Sequence, residues 1–96
     1  MAHETFTRLR EKLAAVSGEL PINSQWEHFK THGRYRITGH VILEASSDVA
    51  VLYCPLAAQD VIFARSAQQW QEEILVDGVP TLRFRQAYPD DLQVRE

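Results

Sequence analysis

The chain has 96 residues, 45% of them apolar and 24% charged, with 10 basic against 13 acidic side chains, a net charge of −3 and a pI near 5.8. That balance fits a single globular domain and excludes a disordered chain, which is poor in apolar residues and rich in net charge. The slight acidity counts against a nucleic-acid binder, whose domain is usually basic, and the longest apolar run, Val49 to Ala58, falls well short of the ~20 residues of a membrane span.

Residues 1–20 form an N-terminal amphipathic segment whose helix runs from about His3 to Ser17, because Phe6, Leu9, Leu13 and Val16 recur every three or four residues. Thr5 is placed to cap its start, and Gly18 to end it in a left-handed conformation. If the helix begins before Glu4, that residue sits four before Arg8 and pairs weakly with it; with Thr5 as the cap, Glu4 lies outside the helix and the pair is lost. The apolar stripe is expected to pack on its own domain, since most helix stability comes from such packing. A docking or homodimer surface is the alternative.

Glu19 to Ser24, with Pro21, Asn23 and Ser24, reads as a connection. The period then changes to two. Tyr35, Ile37, Gly39, Val41 and Leu43 fall on one side of a strand, and Arg34, Arg36, Thr38 and His40 on the other. Glu44 to Asp48 is a turn, Val49 to Leu56 a more buried strand, and Val61 to Arg65 a shorter one. Strands joined by short turns imply an antiparallel meander. Ser66 stands three residues before Gln69 as in a capping box. Ala67, Trp70 and Ile74 follow at helical spacing, with Glu72 and Glu73 outward, up to Asp77-Gly78 and Pro80. Thr81 to Arg85 alternates as a last strand, with Leu82 and Phe84 on one face and Arg83 and Arg85 on the other. The tail from Ala87 frays. The sum is a mainly β (α+β) fold, a small open antiparallel barrel with an added N-terminal helix and one short helix between strands.

The run Trp26-Glu27-His28-Phe29-Lys30, followed by Gly33-Arg34-Tyr35-Arg36-Ile37, resembles the opening of the small bacterial domains grouped as DUF1653, a family of unknown function. Tyr53 matches the family's tyrosine after a valine pair, Arg65 its arginine and Trp70 its later aromatic residue. Asp77-Gly78 matches its turn and Arg83-Phe84 its closing pair. The chain departs from the pattern at Phe63-Ala64-Arg65-Ser66, where members carry Trp-Val-Arg-Pro, and at Ala45-Ser46-Ser47-Asp48, where they show an acidic turn. The resemblance implies an SH3-like barrel over residues 26–88, with the helix as an addition and 89–96 as a flexible tail. It implies no activity, and fold alone confers none.

His28, His32 and His40 lie close in sequence but lack a cysteine pair, a His-Glu-x-x-His motif and a fourth ligand, so no metal is expected. Cys54 lies in the middle of a strand, where a thiol is usually buried and inert. Glu72 and Glu73, adjacent on a helix, point in different directions and make no acid–base pair. The glycines form no phosphate-cradling motif, and no cofactor is expected. Lys30, Arg34 and Arg36 make a locally basic stretch, with Arg65, Arg83 and Arg85 later in the chain. If these converge, an anion or a stacked base finds charge beside aromatic rings; otherwise they line a wet strand face, and Arg65 and Arg83 pair with Asp48 or Glu44. Any such site should strengthen at mildly acidic pH as histidines charge.

The reading is a small cytoplasmic binding module with a ligand surface at His28, Lys30, Tyr35, Tyr53, Arg65, Trp70 and Arg83. Tyr53 and Trp70 equally suit the core. A protein partner or a small anionic ligand fits best. Binding of RNA or a single strand through the basic and aromatic strip comes second, disfavoured by net charge, and an enzyme acting on a small anion comes last. The cytoplasmic setting follows from Met1-Ala2-His3-Glu4, which is unlike a signal peptide, and from Cys54, which has no partner for an internal disulfide.

Overall fold

The computed structural model describes residues 4–88. Thr5 opens the first helix, α1 (Phe6–Glu19), its hydroxyl accepting from the Arg8 amide at 3.1 Å and satisfying one of the donors that a helix start leaves bare. Glu4 nevertheless reaches Arg8 at 3.7 Å and also meets Lys12. The pair expected to be lost is kept, because the long carboxylate side chain reaches back over the first turns. Gly18 stays within the helix. Leu20 closes it instead, its amide bonded to the Val16 carbonyl at 2.7 Å, and Pro21 forbids continuation. Leu13, Val16 and the buried Leu20 pack on the core, whereas Phe6 at the outer end is 74% exposed.

The connection turns at Asn23, whose amide bonds the Ile37 carbonyl at 2.8 Å. It leads into β1 (Gln25–His28), a short strand that the periodicity does not announce. Strands β2 (Arg34–Leu43), β3 (Asp48–Pro55) and β4 (Phe63–Ser66) continue the expected antiparallel meander. The chain later returns to β1 through β7 (Phe84–Ala87), giving the order β4-β3-β2-β1-β7. Ala87, expected to fray, pairs with Gln25 and is buried; residues 89–96 lie outside the described ones.

The strict alternation expected for β2 is broken by a bulge. Ile37 faces Tyr53 but Gly39 faces Leu52, so Thr38 is the extra residue and every later side chain changes face. His40 and Ile42 therefore stand on the core side, opposite Val51 and Val49, while Val41 and Leu43 join the outer side. The His40 ring donates from Nε2 to the Leu20 carbonyl at 2.6 Å and ties the sheet to the helix end. A second tie is the Lys12 ammonium on the Ser47 carbonyl, 3.1 Å, in the β2–β3 turn.

Ser66 caps Gln69 as expected, at 3.1 Å, but the helix it starts, α2 (Ala67–Trp70), is a single turn. Ile74 and Glu73 belong instead to β5 (Glu73–Val76), which pairs with β6 (Val79–Leu82). Asp77 and Gly78 join them with φ of 52° and 79°, the left-handed pair a tight hairpin demands. The apolar β-branched residues of Glu73–Val76 outweigh a helical spacing of only three residues, Ala67, Trp70 and Ile74. Pro80 is tolerated because each strand of a two-stranded ribbon has a free edge. The last predicted strand is divided by a bend at Arg83. It donates its amide to Glu72 at 3.3 Å and accepts from the Phe29 amide at 3.0 Å.

The fold is thus mainly β with two helices, but its sheets do not close into a barrel: the five-stranded sheet has free edges at β4 and β7, and β5–β6 stands as a separate ribbon. The inner face of the larger sheet supplies Trp26, Ile37, Val49, Val51, Tyr53 and Phe84 to the core, and Leu20, Ala67 and Trp70 cover it. Among the described residues, no helix is long and apolar enough to cross a membrane.

Candidate functional site

Register decides which side chains meet. Trp26 pairs with Tyr35, His28 with Phe84, Ile37 with Tyr53, Tyr53 with Phe63 and Val51 with Arg65, so all of these share the inner face. Phe84 is the hub. Trp70 stacks on it with centroids 3.8 Å apart, and His28 meets it edge-on at 5.2 Å. Tyr53 packs on Trp70 at 4.8 Å, on Tyr35 at 5.6 Å and on Phe63 at 5.6 Å. The helices bury one end of this array. At the other end Phe63 is 45% exposed and Tyr35 half-buried. Neither the Tyr35 nor the Tyr53 hydroxyl has a hydrogen-bond partner among the described residues.

Cations rim that open end. The Arg65 guanidinium lies 5.5 Å from the Phe84 ring centre, an arrangement attractive to the ring face. Among the described residues it makes no salt bridge, and its Nε is shielded without a hydrogen bond. Arg83 is held by Glu72 at 3.1 Å, its Nε likewise shielded. Neither meets Asp48 or Glu44, because register puts Arg65 on the inner face and the bend draws Arg83 to Glu72. Arg65, Arg83 and Lys30 all act on His28: burial first, then these three charges, push its pKa below the ordinary 6.5. His28 Nδ1 accepts from the Lys30 amide at 3.2 Å, which leaves the ring's proton for Nε2. The ring therefore stays neutral to a lower pH than an ordinary histidine, so the expected strengthening at mildly acidic pH is opposed at His28.

Of the seven residues singled out from the sequence, His28, Tyr35, Tyr53 and Arg65 meet at this end, Lys30 and Arg83 act on the charge of His28, and Trp70 is 1% exposed and supports Phe84 from behind. The sequence reading left Phe84, Phe63 and Phe29 outside the site. The Leu82–Phe84 alternation was a signal for the first, but Phe29 reaches His28 (4.9 Å) only through the turn.

The other arginines are on the far side of the sheet. Glu27, in β1 there, receives Arg34 at 3.2 Å, Arg85 at 3.6 Å and His32 at 2.8 Å. Arg36 bonds Asn23 and Gln59. The basic stretch is therefore split by the sheet, with the half on this face already paired. The His32 hydrogen bond above all, with Arg85 and Arg34, holds the Glu27 carboxyl below its ordinary 4.5. A depressed folded-state pKa gives stability that is present above the unfolded value and lost as pH falls through the folded one. The thermal midpoint should therefore fall in two stages on acidification, below 6.5 from His28 and below 4.5 from Glu27. His28→Gln should remove the first stage and Glu27→Gln the second; midpoints measured from pH 8 to 3 check both.

Other features offer less. A cavity of about 390 Å³ between α1, β3 and α2 is lined by Lys12, Val16, Asp48, Ser66 and Gln71 among others. Its ammonium is already committed to Glu4 and Ser47, so the rim, where the Arg65 guanidinium meets no carboxylate among the described residues, is the better anion site. A cavity of about 290 Å³ lies behind Trp70 and Phe84. Cys54 is fully buried. Glu72 follows α2 and Glu73 begins β5, so the pair does not share a helix. Among the described residues no three His, Cys, Asp or Glu side chains gather as metal ligands.

The profile of a protein family of unknown function, DUF1653, matches residues 24–86. A crystal structure of a protein belonging to DUF1653, from Bordetella bronchiseptica, superposes with a TM-score of 0.54 at 25% identity, covering 69% of this chain and 83% of that one. No curated protein matches.

Proposed function

The chain belongs to the DUF1653 family, and we propose that it is a binding module taking an anionic group at the open end of its inner sheet face. The observation that carries this is Arg65: a half-buried guanidinium, fixed over Phe84 and meeting no carboxylate among the described residues, in a chain with more acids than bases. Ordering such a charge with no counter-ion is costly unless a ligand supplies one. His28 Nε2, Arg83, Lys30 and the two tyrosine hydroxyls add donors around it. No nucleophile stands beside a base here, which favours binding over catalysis. The reading includes a reducing, cytoplasmic setting, supported by the single buried thiol of Cys54.

Amide-shift mapping with acetate and inorganic phosphate should move His28, Arg65 and Arg83. Arg65→Gln should weaken that response about tenfold or more, as loss of a charged hydrogen bond worth roughly 1.5–3 kcal/mol implies. An unchanged affinity in Arg65→Gln would refute the assignment.

A further inference from the structure

We propose that the anionic group belongs to an extended protein segment, which adds as a strand to the free edge of β4 and places a carboxylate on Arg65. This rests on the anion-site reading and adds the partner's chemistry. β4 pairs on one side only, with β3, and its residues make no further backbone bond among the described ones. Phe63–Ser66 contains no proline and pairs with β3 without a bulge, so of the devices that protect natural edges it has only its four-residue length and the charge of Arg65. The approach to it is apolar, with Val61 41%, Ile62 50% and Phe63 45% exposed.

Two residues beyond Phe63, on the same face, stands Arg65. A strand laid along this edge would set alternate side chains beside Phe63 and Arg65, a spacing that selects an acidic residue two positions from an aromatic or apolar one. Main-chain bonds to the edge would supply affinity and the carboxylate specificity. Charge complementarity favours an acidic segment, since this end of the face carries Arg65 over the Phe84 ring and Arg83 adjoins Phe84 in the chain. The site is an open sheet end beside an unpaired edge, which suits an extended chain better than a free small anion.

The test titrates the full isotope-labelled chain with the capped peptide Ac-Thr-Glu-Thr-Phe-Thr-amide. Its controls are the same peptide with Lys for Glu and the same peptide fully N-methylated. The expected result is shifted, exchange-protected amides over Phe63–Ser66, with at least tenfold preference for Glu over Lys. N-methylation should abolish binding, and Arg65→Gln should erase the preference. Equal affinity for the Lys peptide, or shifts away from β4, would overturn the proposal. If acetate and phosphate shift Arg65 but the peptide leaves β4 unmoved, the anion site stands and the strand partner falls; silence to every anion rejects both. A single-stranded RNA oligomer that binds the rim with steep salt dependence, in place of the peptide, would replace the protein partner with nucleic acid. If Arg65→Gln self-associates while the wild type ignores the peptide, Arg65 is an edge guard and the proposal fails.

Discussion

Trp70→Ala is expected to cost about 3–5 kcal/mol, the range for removing a large buried ring. The indole is 1% exposed and lies within the aromatic array. It stacks on Phe84 at 3.8 Å and meets Tyr53 and Trp26 edge-on at 4.8 and 5.9 Å. Little around it can collapse into the space, because the sheet on one side and the one-turn helix on the other are fixed by register and by the Ser66 cap. Its Nε1 is buried without a partner among the described residues, so Trp70→Phe keeps much of the packing and removes an unsatisfied donor; it should cost clearly less than the alanine variant. Urea unfolding followed by circular dichroism distinguishes the two. A cost below about 1 kcal/mol for alanine would place the ring at the surface. The effect reaches the proposed site through Phe84, on which Arg65 rests. A partly folded Trp70→Ala chain should therefore lose anion affinity along with stability.

How much of this was legible in the sequence follows the range of each interaction. Local signals were reliable where one residue decides one bond: Thr5 and Ser66 cap the helices they were expected to cap. The meander from β2 to β4 was visible because hairpin neighbours are neighbours in sequence. Three features escaped. The bulge at Thr38 hides in an unbroken alternation, since Val41 and Leu43 look as suited to a core as Ile37 does. The β5–β6 ribbon was masked by the chance helical spacing of Trp70 and Ile74, although Asp77-Gly78 is a strong hairpin signal. The pairing of β7 with β1 joins segments almost sixty residues apart, and no local pattern encodes it. The site inherits these limits. His28, Tyr35, Tyr53, Arg65 and Arg83 could be named from residue type and family resemblance. Alternation already set Arg34 and Arg36 opposite Tyr35 and Arg85 opposite Phe84; that Arg34 and Arg85 would pair with Glu27 depended on register.

Deleting residues 1–18 should lower stability by roughly 2–3 kcal/mol without abolishing the sheet. Full burial of a leucine or valine contributes about 1.5–3 kcal/mol, and Leu13 and Val16 are each only partly buried on the core. Loss of the helix also uncovers Leu20, which is 1% exposed beneath its end, and removes the Lys12 bond to the Ser47 carbonyl. Phe6→Ser separates the two roles the stripe was offered. Its ring is 74% exposed, so the substitution should change stability by less than about 0.5 kcal/mol. The inner half of the stripe serves this fold, and only the outer half is free for another molecule. Urea midpoints and sedimentation of the deletion and of Phe6→Ser decide the matter. A deleted chain as stable as the full one would show that Leu13 and Val16 contribute nothing to their own sheet. Their packing would then belong to a contact between molecules, and the full chain should self-associate where the deleted chain does not.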